Sequence, residues 1–188
     1  MRKVIAAFNM TLDGVCDHTT GVADEDLHQH YADLIDSGDV LLYGRITYQL
    51  MQFWQELLKN PSEDKAMNDF AVSIDKVQKL VFSNTLKDTG WHSARLAQKS
   101  LTEEVRELKQ QPGKDILVGS RSLIIQLLNS NLIDEFQICI HPVIEGKGLQ
   151  LFDQITDKIM LKLIRTKSFT SGVTALYFEP IPKNITNN

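Results

Sequence analysis

Three segments of the chain place small, hydroxyl or basic residues directly behind short apolar runs. Gly44-Arg45-Ile46-Thr47 follows Val40 to Tyr43, Ser83-Asn84-Thr85 follows Lys79 to Phe82, and Gly119-Ser120-Arg121-Ser122 follows Asp115 to Val118. Apolar runs of this length read as buried strands, and the residues behind them as turns into a helix or loop. Such turns offer free backbone N–H groups and the positive end of a helix dipole, which suits phosphate. Arg45 and Arg121 add planar guanidinium groups that match phosphate oxygens. In open α/β sheets ligands bind beyond the carboxyl ends of the strands, so a dinucleotide phosphorylated on its ribose would use all three ends together. Gly-Arg and Gly-Ser also occur at such turns for steric reasons alone, and no G-x-G-x-x-G is present.

Other residues carry weaker signals. Asp13 either orients a substrate or caps the turn Thr11-Leu12-Asp13-Gly14. His28 and His30 form His-x-His, which on a helix does not converge on a metal; both read as solvated, and no metal site is expected. Phe53-Trp54 reads as core or dimer contact, with Trp54 a substrate contact if it faces the cleft. His141-Pro142 reads as a strand terminator. Asp134 and Glu135, adjacent on a strand, point to opposite sides and suit structural roles better than paired acid–base catalysis.

The elements that must position these residues alternate. Strands are expected over 3–9, 40–43, 79–82, 115–118 and 134–141, with a short one near 91–96 and a closing pair near 159–168 and 173–179. Helices are expected over 24–37, 46–58, 101–110 and 122–129, and residues 60–68 read as a polar loop. This pattern implies an α/β fold: a mixed, mostly parallel sheet with helices on both faces and a C-terminal antiparallel hairpin. One domain over residues 1–183 is expected, with 184–188 a frayed tail.

Composition narrows the function. The 188 residues are 43% hydrophobic and 23% charged, with a formal net charge of −4. Binding to nucleic acid normally requires a basic excess, so that class is set aside. No apolar stretch approaches the ~20 residues of a membrane helix. Two distant cysteines, Cys16 and Cys139, form no disulfide framework and point to a cytoplasmic location.

Taken in order, these motifs resemble the dihydrofolate-reductase-like superfamily, and within it the C-terminal reductase domain of bifunctional riboflavin-biosynthesis proteins. The resemblance runs through Thr11-Leu12-Asp13-Gly14, Leu42 to Tyr48, Lys79 to Thr85, Leu108 to Gly119, Leu132 to Phe136, His141 to Gly148 and Leu151-Phe152. It implies a dihydrofolate-reductase-like three-layer fold and reduction of a small heterocycle with NADPH. It places Arg45 near the ribose phosphate, Gly44 and Thr47 in the cofactor loop, and Ser83 and Asn84 at the adenosine ribose. Gly119, Ser120, Arg121 and Ser122 would form the pyrophosphate turn, with the Ala7 backbone and the Asp13-Gly14 loop beside the nicotinamide. Many relatives carry two glycines where Gly119-Ser120 stands here. Dihydrofolate reductases hold the pterin with a carboxylate on the first helix, where Asp24, Glu25, Asp26 and His28 fall. Asp24 and His28 there, and Asp13 in the earlier turn, are the catalytic candidates. The resemblance also implies a homodimer. A pterin or dihydrofolate-type reductase and a non-catalytic dinucleotide-binding homodimer are the alternatives.

Overall fold

The apolar runs become strands of one eight-stranded sheet. The structure is a computed structural model, and it describes residues 1–19, 21–22 and 24–182. Residues 184–188, expected to fray, lie outside the described residues. In chain order the elements are β1 (Val4–Thr11), α1 (Glu25–Ser37), β2 (Gly38–Gly44), α2 (Arg45–Met51), α3 (Phe53–Lys59), α4 (Lys65–Lys76), β3 (Gln78–Phe82), β4 (Ala94–Leu96), α5 (Leu101–Gln110), β5 (Asp115–Val118), α6 (Arg121–Asn129), β6 (Glu135–His141), β7 (Leu161–Ser168) and β8 (Thr174–Pro180). The strand order is β4-β3-β2-β5-β1-β6-β8-β7. Strands β1 to β6 pair in parallel, and β8 runs antiparallel to both β6 and β7.

Side-chain alternation explains the layers. Val4, Ala6, Leu42, Ile116 and Val118 face one side and pack on Leu101, Val105 and Leu108 of α5 and Leu123, Ile124 and Leu127 of α6. Ile5, Leu41, Tyr43 and Leu117 face the other and pack on Ala32 and Ile35 of α1 and Phe70 and Ile74 of α4. Strands apolar on both faces require cover on both, and the helices supply it.

The structure corrects the reading of two helical regions. The loop expected over 60–68 ends early, because Asp64 caps a helix beginning at Lys65 by accepting from the Met67 N–H at 3.1 Å. The region 46–58 is not one helix: the Gln55 N–H bonds to Gln52 O, and this i→i+3 turn separates α2 from α3.

His30 is also not solvated. It is 8% exposed and packs against Tyr31, Phe169 and Tyr177. Burial, reinforced by the charges of Lys167 and Arg165, holds its imidazole down at about 4. The unfolded chain therefore takes up a proton as pH falls from about 6.5, while the folded protein resists until about 4. This residue contributes a loss of stability across that window, up to about 3 kcal/mol. Denaturant titrations between pH 7 and pH 4 should show His30→Phe losing less stability on acidification than the parent protein.

Candidate functional site

A cleft opens at the carboxyl ends of the strands because β5 is shorter than its neighbours. Its last residue, Val118, lies opposite Ala6 of β1 and Leu42 of β2. Beyond Val118 the chain turns away from β1, and the Gly119 N–H reaches Leu42 O of β2. Strand β1 continues beside β6 as far as the Thr11–His141 pair. Lys3 O bonds to Ile116 of β5 and Val4 O to Asp134 at the start of β6, so odd-numbered residues of β1 turn their backbone toward β5. Past Val118, the Ala7 carbonyl and the Asn9 backbone thus face a space that no strand fills.

On the β2 side lies a cleft of about 600 Å³, lined by Gly44 to Thr47, Phe82 to Thr85, Ala97, Lys99 to Leu101, Ser122, Leu123 and Gln126. The N-termini of α2 and α6 open onto it. Neither helix has a side-chain cap: the N-cap of α2 is Gly44, and that of α6 is Ser120, whose hydroxyl is used elsewhere. Ser120 is 1% exposed, and its Oγ accepts from the Gly44 N–H at 2.8 Å. This hydroxyl ties the β2–α2 turn to the β5–α6 turn and does not project toward a ligand. A Cβ on Gly44 would sit 3.2 Å from Ser122 Oγ, so glycine keeps the two turns close. The N-terminus of α5 also reaches the cleft, but Ser100 and Glu103 form a capping box that satisfies it. Arg45 is exposed, and among the described residues it hydrogen-bonds only to the neutral Gln49 Oε1 at 3.1 Å.

Arg121 is placed differently from the expectation that it faces phosphate. Its Nε donates to Gln150 O at 2.8 Å, and its guanidinium pairs with Asp153. It anchors the segment after β6 to the start of α6. Asp13 anchors the same segment nearer β1, accepting from the Gly146 N–H at 2.7 Å, the Glu145 N–H at 3.2 Å and Thr11 Oγ1 at 2.6 Å. These donors, the Thr11 hydroxyl foremost, hold its carboxyl at about 2. Gly14 adopts φ +86°, and its carbonyl accepts from the Leu151 N–H.

The remaining candidates sit around α1. Asp24 caps α1 through the Leu27 N–H at 2.8 Å and also accepts from the Ser171 N–H at 2.8 Å; its carboxyl pKa is lowered, first by the Ser171 side chain and then by the Leu27 N–H. Asp26 accepts from Thr170 Oγ1. His28 lies edge-on to Trp54, with ring centroids 6.1 Å apart, and its buried Nδ1 has no hydrogen-bond partner. Trp54 packs on Phe70 at 4.5 Å and is not part of the cleft lining. Among the described residues, no group of three His, Cys, Asp or Glu is placed to hold a metal, and no helix is long and apolar enough to cross a membrane.

Sequence reasoning missed three residues. His141, 2% exposed, does end β6, but it also accepts from the Val22 N–H at Nδ1, 2.9 Å away. Its Nε2 meets Asn9 Oδ1 at 3.1 Å, and the Tyr31 hydroxyl donates to the same oxygen at 2.9 Å. Burial lowers the His141 pKa. The period-two alternation of β1 was the available signal: Asn9 is a polar residue two positions past Ala7 on the face that α1 covers.

Comparison with known proteins agrees with this architecture. The model of the RibD C-terminal domain matches residues 2–175. The uncharacterized protein YyaP of Bacillus subtilis is 33% identical over 181 residues, covering 94% of each chain. RibD of Acinetobacter baumannii superposes with a TM-score of 0.70 at 13% identity, over 97% of this chain and 59% of that one. A deaminase/5-amino-6-(5-phosphoribosylamino)uracil reductase of Thermotoga maritima superposes with a TM-score of 0.67 at 18% identity, over 96% of this chain and 57% of that one.

The Ser120 hydroxyl supplies the partner of the buried Gly44 N–H, so Ser120→Ala should cost about 1–3 kcal/mol in denaturant titrations. Asp13→Ala should leave the core intact and speed hydrogen exchange at the Glu145 and Gly146 amides, which a two-dimensional amide exchange experiment reads directly.

Proposed function

The chain belongs to the RibD C-terminal domain family, and from that premise we propose that it is an NADPH-dependent reductase of a small heterocycle, resembling 5-amino-6-(5-phosphoribosylamino)uracil reductase. One observation carries the reading: the cleft joins two uncapped helix N-termini to Arg45, whose only hydrogen-bond partner among the described residues is a neutral amide. This is an anion site with its charge and its N–H donors left over. The other cations nearest this end of the sheet are committed, Lys99 to Glu107 and Arg121 to Asp153.

These residues fit a phosphorylated dinucleotide. Arg45 would take the ribose phosphate, with Ser83 and Asn84 at the same mouth of the cleft. The backbone of Thr47 and Ser122 would take the pyrophosphate, with Gly44 permitting its close approach. From there the open side of β1 at Ala7 is two strands away, ~10 Å. When bound, the dinucleotide would supply a hydride to an electron-poor carbon of a C=N or C=O bond, whose π pair would pass to the heteroatom and take a proton from solvent. The chain's own part is to position the two reactants, for which a site without triad or metal is sufficient.

A pterin-type reductase is disfavoured by α1. Its Asp24 carboxylate is spent on Leu27 and Ser171, and Asp26 is exposed and bonded to Thr170. The expected homodimer is best placed on β7, an edge strand exposed along almost its whole length, with Leu163 and Ile164 in solvent.

Millimolar NADPH should raise the melting temperature, since a ligand of the native state stabilises it by mass action; no shift overturns the reading. Arg45→Ala should weaken NADPH roughly tenfold or more while leaving NADH nearly unchanged. Sedimentation at micromolar concentration should give twice the chain mass, and substitution of Leu163 and Ile164 by Lys should return the monomer.

A further inference from the structure

At the carboxyl end of β1 one exposed side chain is held in a single orientation by two more buried ones. A backbone N–H is always a donor. Val22 N–H points at His141 Nδ1, 2.9 Å away, so Nδ1 is the acceptor of a neutral ring. The proton of that ring is then on Nε2. Nε2–H, 3.1 Å from the Asn9 amide, must meet its oxygen and not its nitrogen. The Tyr31 hydroxyl, 2.9 Å from the same oxygen, donates as well. Asn9 Oδ1 is therefore saturated on its protein side, and the amide cannot flip without setting an N–H against an N–H. Both donors of Asn9 Nδ2 are left, and no described residue accepts from them. Asn9 itself is exposed.

Its position matters as much as its orientation. Asn9 lies two residues past Ala7 on β1, three residues beyond the level at which β5 ends, on the face that carries Tyr31. The Ala7 carbonyl opens on the β5 side of the same stretch, the side from which the cofactor cleft approaches. A planar ring between α1 and this end of β1 would have the fixed amide donors beside it.

We propose that Asn9 is the substrate-recognising residue: its side-chain amide donates to a carbonyl oxygen of a planar, uracil-type ring, with Tyr31 and His141 as the positioning residues that hold it. The proposal rests on the reductase reading for the ring class. The mere alternative is a structural strut that ties residues 21–22 to β6.

Asn9→Asp separates the two. Aspartate keeps the oxygen that accepts from Tyr31 and His141 but has no donors to present. The probe is 5,6-diaminouracil at millimolar concentration, followed by amide NMR on the full chain, with the Asn9 side-chain NH₂ signals identified by their absence from Asn9→Asp. The expected result is that the probe shifts those signals, and that Asn9→Asp weakens the probe roughly tenfold or more while melting temperature and NADPH affinity stay near the parent values. Tyr31→Phe removes one of the two restraints and should weaken the probe a few-fold, again without touching NADPH. Three results overturn the proposal: no shift of the Asn9 signals in the parent protein, equal probe affinity in parent and Asn9→Asp, or a loss of melting temperature in Asn9→Asp that accounts for the weakened binding. Failure of the reductase reading is distinct, because it shows as absence of NADPH stabilisation in the parent and needs no variant.

Discussion

Strand β5 sits between β2 and β1 and has four residues where they have seven and eight. A strand that ends early between longer neighbours leaves a notch in the sheet, and the backbone bordering the notch lacks its ladder partners. Here the deficit is closed on one side only. Gly119 crosses to Leu42 of β2, and Ser120 then reaches Gly44. On the other side β1 keeps its edge open from Ala7 to Asn9, before Thr11 bonds to Val15. The cleft, the approach of two helix N-termini and the exposure of Asn9 all follow from where β5 stops.

The glycine and serine at that stop work as a pair. A Cβ on Gly119 would lie 3.0 Å from the Tyr43 ring, which restricts the position to the smallest residue. Ser120 then supplies the hydroxyl that occupies Gly44 N–H. A second glycine there would leave that N–H for a ligand or for water. Ser120 therefore replaces a ligand-facing or solvent-facing donor with an internal tie, and the first-turn N–H groups of α2 and α6 stay without a side-chain cap.

Strands were legible because β-branched and leucine runs such as Val40 to Tyr43 and Asp115 to Val118 have no helical period. The C-terminal hairpin was legible from its alternation. Helix α4 was not, because its apolar contacts, Phe70, Ala71 and Ile74, come late, behind a polar start around Pro61 and Asn68. Its start depends on Asp64 acting as cap and on Asn68 accepting from the Ser62 N–H, neither of which periodicity reveals. Site residues divide in the same way. That Gly44, Arg45, Thr47 and Ser122 border one cleft follows from strand ends, which a sequence displays. The directions of Ser120, Arg121 and Asp24 depend on partners 76, 32 and 147 residues away. His30 was misread as solvated because its partners, Phe169 and Tyr177, arrive from the C-terminal hairpin.

Most polar groups at this end of the molecule are satisfied by other polar groups, and that determines what remains for chemistry. Asp13 is spent on a loop backbone, Asp24 on a helix cap, Arg121 on Asp153 and Lys99 on Glu107. A group bound on several sides is fixed in place but has nothing further to offer a ligand. Among the described residues the donors left with capacity are Arg45, the first-turn N–H groups of two uncapped helices and the outward N–H pair of Asn9, beside the open Ala7 carbonyl and the unpartnered Nδ1 of His28. Under the reading proposed above, these donors suit acceptors, phosphate at one end and carbonyl oxygen at the other. An acceptor-rich ligand pair held in register by such donors is the division of labour expected when a cofactor carries the reaction.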